Sequence, residues 1–548
     1  MALLIDVFGF LSVLLAGLTR TAQCVVLGTA LFSVLIAPLG LELDGPEAAL
    51  LKQRLLRCGT LTTAGLFFLV CIGLILHFAL LHGSLELPVL DSLTDNFSVM
   101  WGLRFAFTFM LMLRFMRGKM DVWLVVLALG DLACGVGISH AAARLDERSL
   151  LLVITALHHL GAGMWIGGLP AFLIALNSVV DGGVRAAIGR RYSHLSIVSV
   201  LAIAGSGIAM AVLYGGSPQA LYGTAYGAMM GTKVILFGSL LMLGLGNFLM
   251  VRRLAHDPAL PYLRIKRFVE VELGIGIAIF FGAASMTSLP PAIDLVDGRA
   301  SFAEITERMT PIWPSLKSPT IDDLAIYVTQ RKLDTEAAAR GTAAASAYEP
   351  GTGIAAPRNA ADIKWSEYNH HWSGIIVMLI GFLAFLDRAL GLRWARHWPL
   401  AYLLLAVFLF IRSEPEFWPI GTLSFAQSIR DPEFLQHKVF ITLISAFALF
   451  EWAVRQQWLT RPWASYVFPF CCAGAGTFLL AHQHSLANVK DLLLIEYTHI
   501  PLAVFGIWAG WARWLDLRMD GRVRVWAGRA WPVLFFLVGV SLFVYREI

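Results

Sequence analysis

The sequence predicts an all-α, polytopic integral membrane protein with about fourteen transmembrane helices and both termini facing outward. Three observations carry this prediction. Of 548 residues, 58% are hydrophobic and only 14% charged. Apolar runs of about twenty residues recur from end to end, the length needed to cross roughly 30 Å of hydrocarbon. The runs are continuous rather than alternating, which excludes a closed barrel.

Taken in order, the runs place spans near residues 13–39, 60–82, 97–116, 121–143, 150–176, 192–214, 226–250 and 268–289, then 369–386, 397–412, 436–454, 464–483, 493–512 and 530–545. Arg20 interrupts the first. Between spans, one alternating set of short loops holds 24 Lys and Arg and the other only 5. Basic loops stay in the cytoplasm, so both ends and the polar stretch between spans eight and nine are predicted to face outward. The net charge of +5 follows from this bias. No basic patch suggests nucleic acid, and no phosphate-cradling glycine loop suggests a nucleotide.

The chain divides into three parts: an eight-span domain at 1–290, an outward polar segment at 291–366, and a six-span, histidine-rich domain at 367–548. Within the middle part, Ser318-Pro319-Thr320-Ile321-Asp322-Asp323 reads as a helix start, and 341–362 as a flexible linker. The six cysteines, Cys24, Cys58, Cys71, Cys134, Cys471 and Cys472, fall in or near spans, so no disulfide framework is expected. The N-terminus lacks a basic leader and a cleavage motif, and the first span is expected to remain.

Histidine placement is the main functional signal. With the predicted orientation, eleven of fourteen histidines fall on the outward side. Imidazole is costly in hydrocarbon and is a common metal ligand. The short loop at 144–149 should bring His140, at the end of span four, toward His158 and His159 inside span five. Methionines add soft thioethers, among them Met164 and Met286, and imidazole with thioether suits copper. A single methionine in a membrane helix most often only packs.

A second group lies in the C-terminal domain: His370, His371, His437, His482, His484 and His499. Glu367-x-x-His370 and Glu496-x-x-His499 each put a carboxylate and an imidazole on one helical face, a spacing that serves metal sites in bundles. His371, His437, His482 and His484 would equally serve as axial ligands for haem b. Asp131, Lys233, Glu270 and Glu272 are charges inside spans, and they mark either a polar transport path or structural ion pairs. Small residues at Gly161, Gly163, Gly167, Gly168, Gly205, Gly207, Gly244 and Gly246 predict close helix packing.

These residues also carry a resemblance. Ser139-His140-Ala141, the string from His158-His159-Leu160-Gly161 through Trp165-Ile166-Gly167-Gly168-Leu169, Arg191-Tyr192-Ser193, Gly205-Ser206-Gly207, Tyr222 to Gly227 with Lys233, Val271-Glu272-Leu273-Gly274 and Pro290-Pro291 are similar to the CopD family of bacterial copper-resistance membrane proteins, over about residues 10–292. The resemblance implies an inner-membrane protein that imports copper delivered from the periplasm, beside a periplasmic CopC-like chaperone. The family's histidines fall on His140 and His158. Some relatives fuse a CopC domain, whereas the outward segment here holds no histidine or cysteine.

The expected function is therefore copper binding and transfer across the membrane, not enzymatic turnover. His140, His158, His159 and methionine would capture the ion, and Asp131 and Lys233 would shape its path. Two alternatives fit the same map: a haem b electron-transfer or copper-reducing protein, and a copper sensor or chaperone-docking scaffold.

Overall fold

The structure is a computed structural model that describes residues 2–42, 45–84, 94–296, 298–348, 358–481 and 489–547. Every regular element among them is helical. Among the described residues, thirteen helices are long and apolar enough to cross a membrane, and one further apolar helix is shorter. The chain is an all-helical polytopic membrane protein. It forms two compact units, one of Val7–Arg299 with Leu480–Lys490 and one of Met1–Asp6, Ala300–Leu479 and Asp491–Ile548.

The first unit is built from α1 (Ala2–Leu35), α2 (Pro46–Ser84), α3 (Asn96–Met116), α4 (Val122–Gly137), α5 (Arg148–Trp165), α6 (Leu169–Ser178), α7 (Gly182–Gly215), α8 (Ala225–His256) and α9 (Leu263–Met286). Side-chain caps fix three of these starts: Asp95 on α3, Asp181 on α7 and Thr224 on α8 each accept from backbone N–H groups of the first turn. The predicted span 121–143 is in fact the 16-residue α4 followed by a separate turn, His140–Ala143. At 1.5 Å per residue α4 is shorter than the hydrocarbon is thick. Conversely, α2 begins fourteen residues before the predicted span, because Leu51 and Leu55, one turn apart, are both fully buried.

Val26, Leu27, Ala30 and Leu31 of α1 pack with Leu66 and Val70 of α2, Leu111 and Phe115 of α3 and Leu124, Ala128 and Leu132 of α4. The predicted span 150–176 is broken between α5 and α6. There α1 approaches backbone to backbone: a Cβ on Gly28 would lie 2.1 Å from the Gly167 carbonyl carbon, and one on Gly167 only 1.9 Å from the Cys24 oxygen. The Tyr192 hydroxyl donates to the Trp165 carbonyl at the break, satisfying an acceptor that lipid would leave bare. Gly205 is different, since a Cβ there would meet nothing, and its expected role in close packing is not realised.

The second unit contains α10 (Phe302–Met309), α11 (Ala325–Arg340), α12 (Ala360–Leu390), α13 (Ala401–Arg412), α14 (Pro432–Arg455), α15 (Val467–Ala481), α16 (Val489–Arg518) and α17 (Gly521–Phe543). The helix start predicted at 318–323 appears as a 3-10 turn, Ile321–Asp323, leading into α11. Helices α12 and α17 form the central pair. Around them a core of Ile376, Ile380, Trp398, Tyr402, Phe468 and Trp531 is rich in aromatic contacts. The polar stretch from Ala300 onward belongs to this unit and is tied to it by hydrogen bonds such as Tyr327 to the Pro415 carbonyl, 2.7 Å, and Arg412 to Ser318, 2.7 Å.

Candidate functional site

A cavity of about 670 Å³ lies within the first unit, walled by α1, α2, α3, α5, α7, α8, α9 and the turn at His140. His77, His140, His158 and His159 line it, together with Met210, Met286 and Lys233. The predicted convergence of the span-four end with span five is thus found, and it places His140, His158, His159, Met286 and Lys233 around one space.

The partners of each ring decide what it can do. Ser206 Oγ has one hydrogen, which goes to the Ala202 carbonyl at 2.5 Å. His158 Nδ1, 3.0 Å from the same oxygen, is therefore the donor, and its Nε2 keeps a lone pair. A Cβ built on Gly207 would lie 3.9 Å from His158 Cε1, so glycine there leaves the ring room. The His159 Nδ1 is buried with no hydrogen-bond partner. The two ring centroids stand 6.3 Å apart. His140 is more engaged, since its Nε2 donates to the Thr287 carbonyl. His77 Nε2 is 3.3 Å from Asp95. Burial alone would raise the Asp95 carboxyl, but the Ser98 hydroxyl, the Phe97 and Ser98 amides and His77 outweigh it and hold the group below its usual range.

Two predicted residues do not line the cavity. Met164 packs against the α1–α4 core. Asp131, 1% exposed, forms an ion pair with Arg104 Nε at 3.1 Å and accepts from Gln23 Nε2 at 2.7 Å. Arg104, 2% exposed and itself in the cavity wall, was missed in the sequence, as were Arg20, Gln23 and Cys24 as wall residues. Arg104 left a legible signal, a lone charge inside the apolar run Trp101 to Met110. Glu272 is held by Asn247 and Trp165 and is likewise absent from the wall.

In the second unit the histidines are mostly tied to backbone. His371, fully buried, accepts from the Ser315 amide at Nδ1, 2.9 Å, and donates from Nε2 to the Tyr545 carbonyl, 2.7 Å. Both nitrogens are spent, and the expectation that His371 ligates metal or haem iron is corrected accordingly. His370 donates from Nδ1 to the Ser366 carbonyl, 2.8 Å, and stacks on Tyr545 with ring centroids 3.9 Å apart. His499 uses Nδ1 on the Ile495 carbonyl, 2.9 Å, and meets the same tyrosine edge-on at 6.4 Å.

In both Glu-x-x-His pairs the imidazole gives Nδ1 to the backbone carbonyl four residues back, and Glu367 accepts from the Glu547 amide. Glu496 is buried. His437 bonds Glu414, which Lys438 also approaches at 3.1 Å. His482 and His484 lie outside the described residues. Among the described residues no three His, Cys, Asp or Glu side chains converge as a metal cluster.

Residues 186–286 match the family described as copper resistance protein D, CopD. This stretch of the chain is similar to the CopD family. The match takes in most of α7 and all of α8 and α9, and so carries Lys233 and Met286 of the cavity wall and Ser206, the partner of His158. Over 152 residues the chain is also 31% identical to copper transport protein CutJ of Bacillus subtilis (strain 168), an alignment that covers 27% of this chain and 27% of that protein. The chain thus matches about a quarter of the length of this curated relative. No solved structure matches.

Proposed function

We infer that this protein carries copper across a bacterial inner membrane through the cavity of its first unit, taking the ion at the periplasmic face from a CopC-like chaperone, without chemical turnover. The observation that carries the reading is the pair His158 and His159. Ser206 turns one ring so that Nε2 remains a ligand, and the other presents a buried nitrogen with no protein partner.

Two imidazoles on one two-coordinate ion, with metal–nitrogen bonds of about 2.0 Å, hold their centroids roughly 6 Å apart. The 6.3 Å separation supports that arrangement. Met210 and Met286 share the cavity, and thioether with imidazole is a donor set for soft monovalent copper. The name of the CutJ relative supports transport as the outcome.

Copper binding to the purified full-length protein, read by elemental analysis and X-ray absorption, tests the site. The expected result is about one copper per chain with two imidazole nitrogens, and an affinity lowered tenfold or more in both His158→Ala and His159→Ala. Copper flux into vesicles that contain only this protein tests the transport step. Binding and flux unchanged in both variants would sink the proposal.

A further inference from the structure

Among the described residues, the cavity wall contains three basic side chains, Arg20, Arg104 and Lys233, and no carboxylate. Charge inside a membrane protein is normally paired, because an isolated ion in a low-dielectric surround loses its hydration without compensation. Here the pairing is incomplete. Asp131 lies behind the wall, bonded to Arg104 and Gln23. Arg20 reaches only the neutral Gln23 amide oxygen, 3.3 Å, and the Gly135 carbonyl, 3.4 Å, with Asp131 the one carboxylate in its electrostatic surroundings. Lys233 has no hydrogen-bond or ion-pair partner among the described residues.

Three cations thus face one anion. The guanidinium of Arg104, in a residue 2% exposed, also keeps Nη2 buried and unbonded. All three basic groups act electrostatically on His159, so they surround one region of the cavity.

The size and lining of the space narrow the ligand further. About 670 Å³ is far more than one copper ion and a few waters fill, at ≈ 30 Å³ per water. Apart from the polar groups named, the wall is largely apolar, with Leu15, Leu76, Phe97, Ile203, Phe237 and Phe280 among its members. A preformed apolar cavity with a few convergent polar groups is the usual form of a small-molecule site.

The geometry points to a second ligand of this cavity, a membrane-partitioned amphiphile whose carboxylate or phosphate head pairs with Lys233, Arg20 and the open Nη2 of Arg104 while its acyl body fills the apolar space. This inference goes beyond the copper reading and does not depend on it.

The test uses the full-length protein, copper-free, in nanodiscs of zwitterionic lipid, titrated with radiolabelled decanoate against empty nanodiscs. The expected result is saturable binding near one per chain, displaced by decyl phosphate and not by decanol, decyltrimethylammonium or inorganic phosphate. Lys233→Gln and Arg20→Gln should each weaken it about tenfold or more, as expected for the loss of a charge-assisted hydrogen bond. Lys233→Arg should restore it.

His158→Ala, which removes the proposed copper ligand, should leave decanoate binding within about twofold, so the two readings fail separately. Equal competition by decanol would show an apolar cavity without a charge requirement and overturn the inference. Equal competition by inorganic phosphate would show a free-anion site and overturn the amphiphile. Decanoate affinity unchanged in Lys233→Gln and Arg20→Gln would also overturn it.

Discussion

His158 and His371 both sit on long apolar helices, but their surroundings differ. His158 gives one nitrogen to a serine hydroxyl and turns the ring toward a space that the protein does not fill. His371 gives both nitrogens to backbone, from Ser315 and Tyr545, and is sealed from solvent. An imidazole can bind a ligand only while one nitrogen is uncommitted, so position in a membrane and number in a cluster do not by themselves make a metal site. In the first unit histidine belongs to a cavity; in the second, His371 works as a tie between the 315 loop, α12 and the turn after α17.

The largest expected effect tests whether the cavity rests on its buried ion pair. Arg104→Leu or Asp131→Leu leaves one charge stranded at an almost fully buried position, and each should cost about 3–5 kcal/mol. Thermal unfolding of the purified protein reads this, and the double variant should recover part of the loss. Next, His371→Phe strands an amide and a carbonyl and should destabilise by about 2–3 kcal/mol with copper binding unchanged. His158→Ala should do the reverse, lowering copper affinity tenfold or more at a stability cost of about 1 kcal/mol. If the two histidines behaved alike, the contrast between the units would be lost.

The smallest effect concerns Glu414. Burial would raise its carboxyl, but hydrogen bonding and charge from His437, with Lys438 and Ser413, outweigh this and hold it below the ordinary carboxylate range. A depressed folded value means the stabilisation is present above the unfolded value, near 4.3, and fades as pH falls through the folded one. The unfolding midpoint should therefore drop below about pH 4, and Glu414→Gln should flatten that acid limb by about 1 kcal/mol.

Much of this was legible because hydrocarbon imposes a length and a polarity on each crossing. The spans could be read from runs, and the loop at 144–149 was short enough to bring His140 near His158. Other features depended on distant partners. Ser315 and Tyr545 lie 56 and 174 residues from His371, and no local period encodes such bonds. Met164, six residues beyond His158, points about a third of a turn away around α5 and meets the core instead. Arg104 was readable as a charge inside a run, yet Asp131 draws attention as a lone acid until the two are seen to satisfy each other.

The bare backbone contact where Gly28 of α1 meets Gly167 beyond the end of α5 has a mechanical consequence. With no side chains between them, the two main chains lie in direct contact. Any side chain at either glycine would have to wedge α1 away from the break between α5 and α6, so these two residues set how closely the first helix can approach the ligand-bearing one.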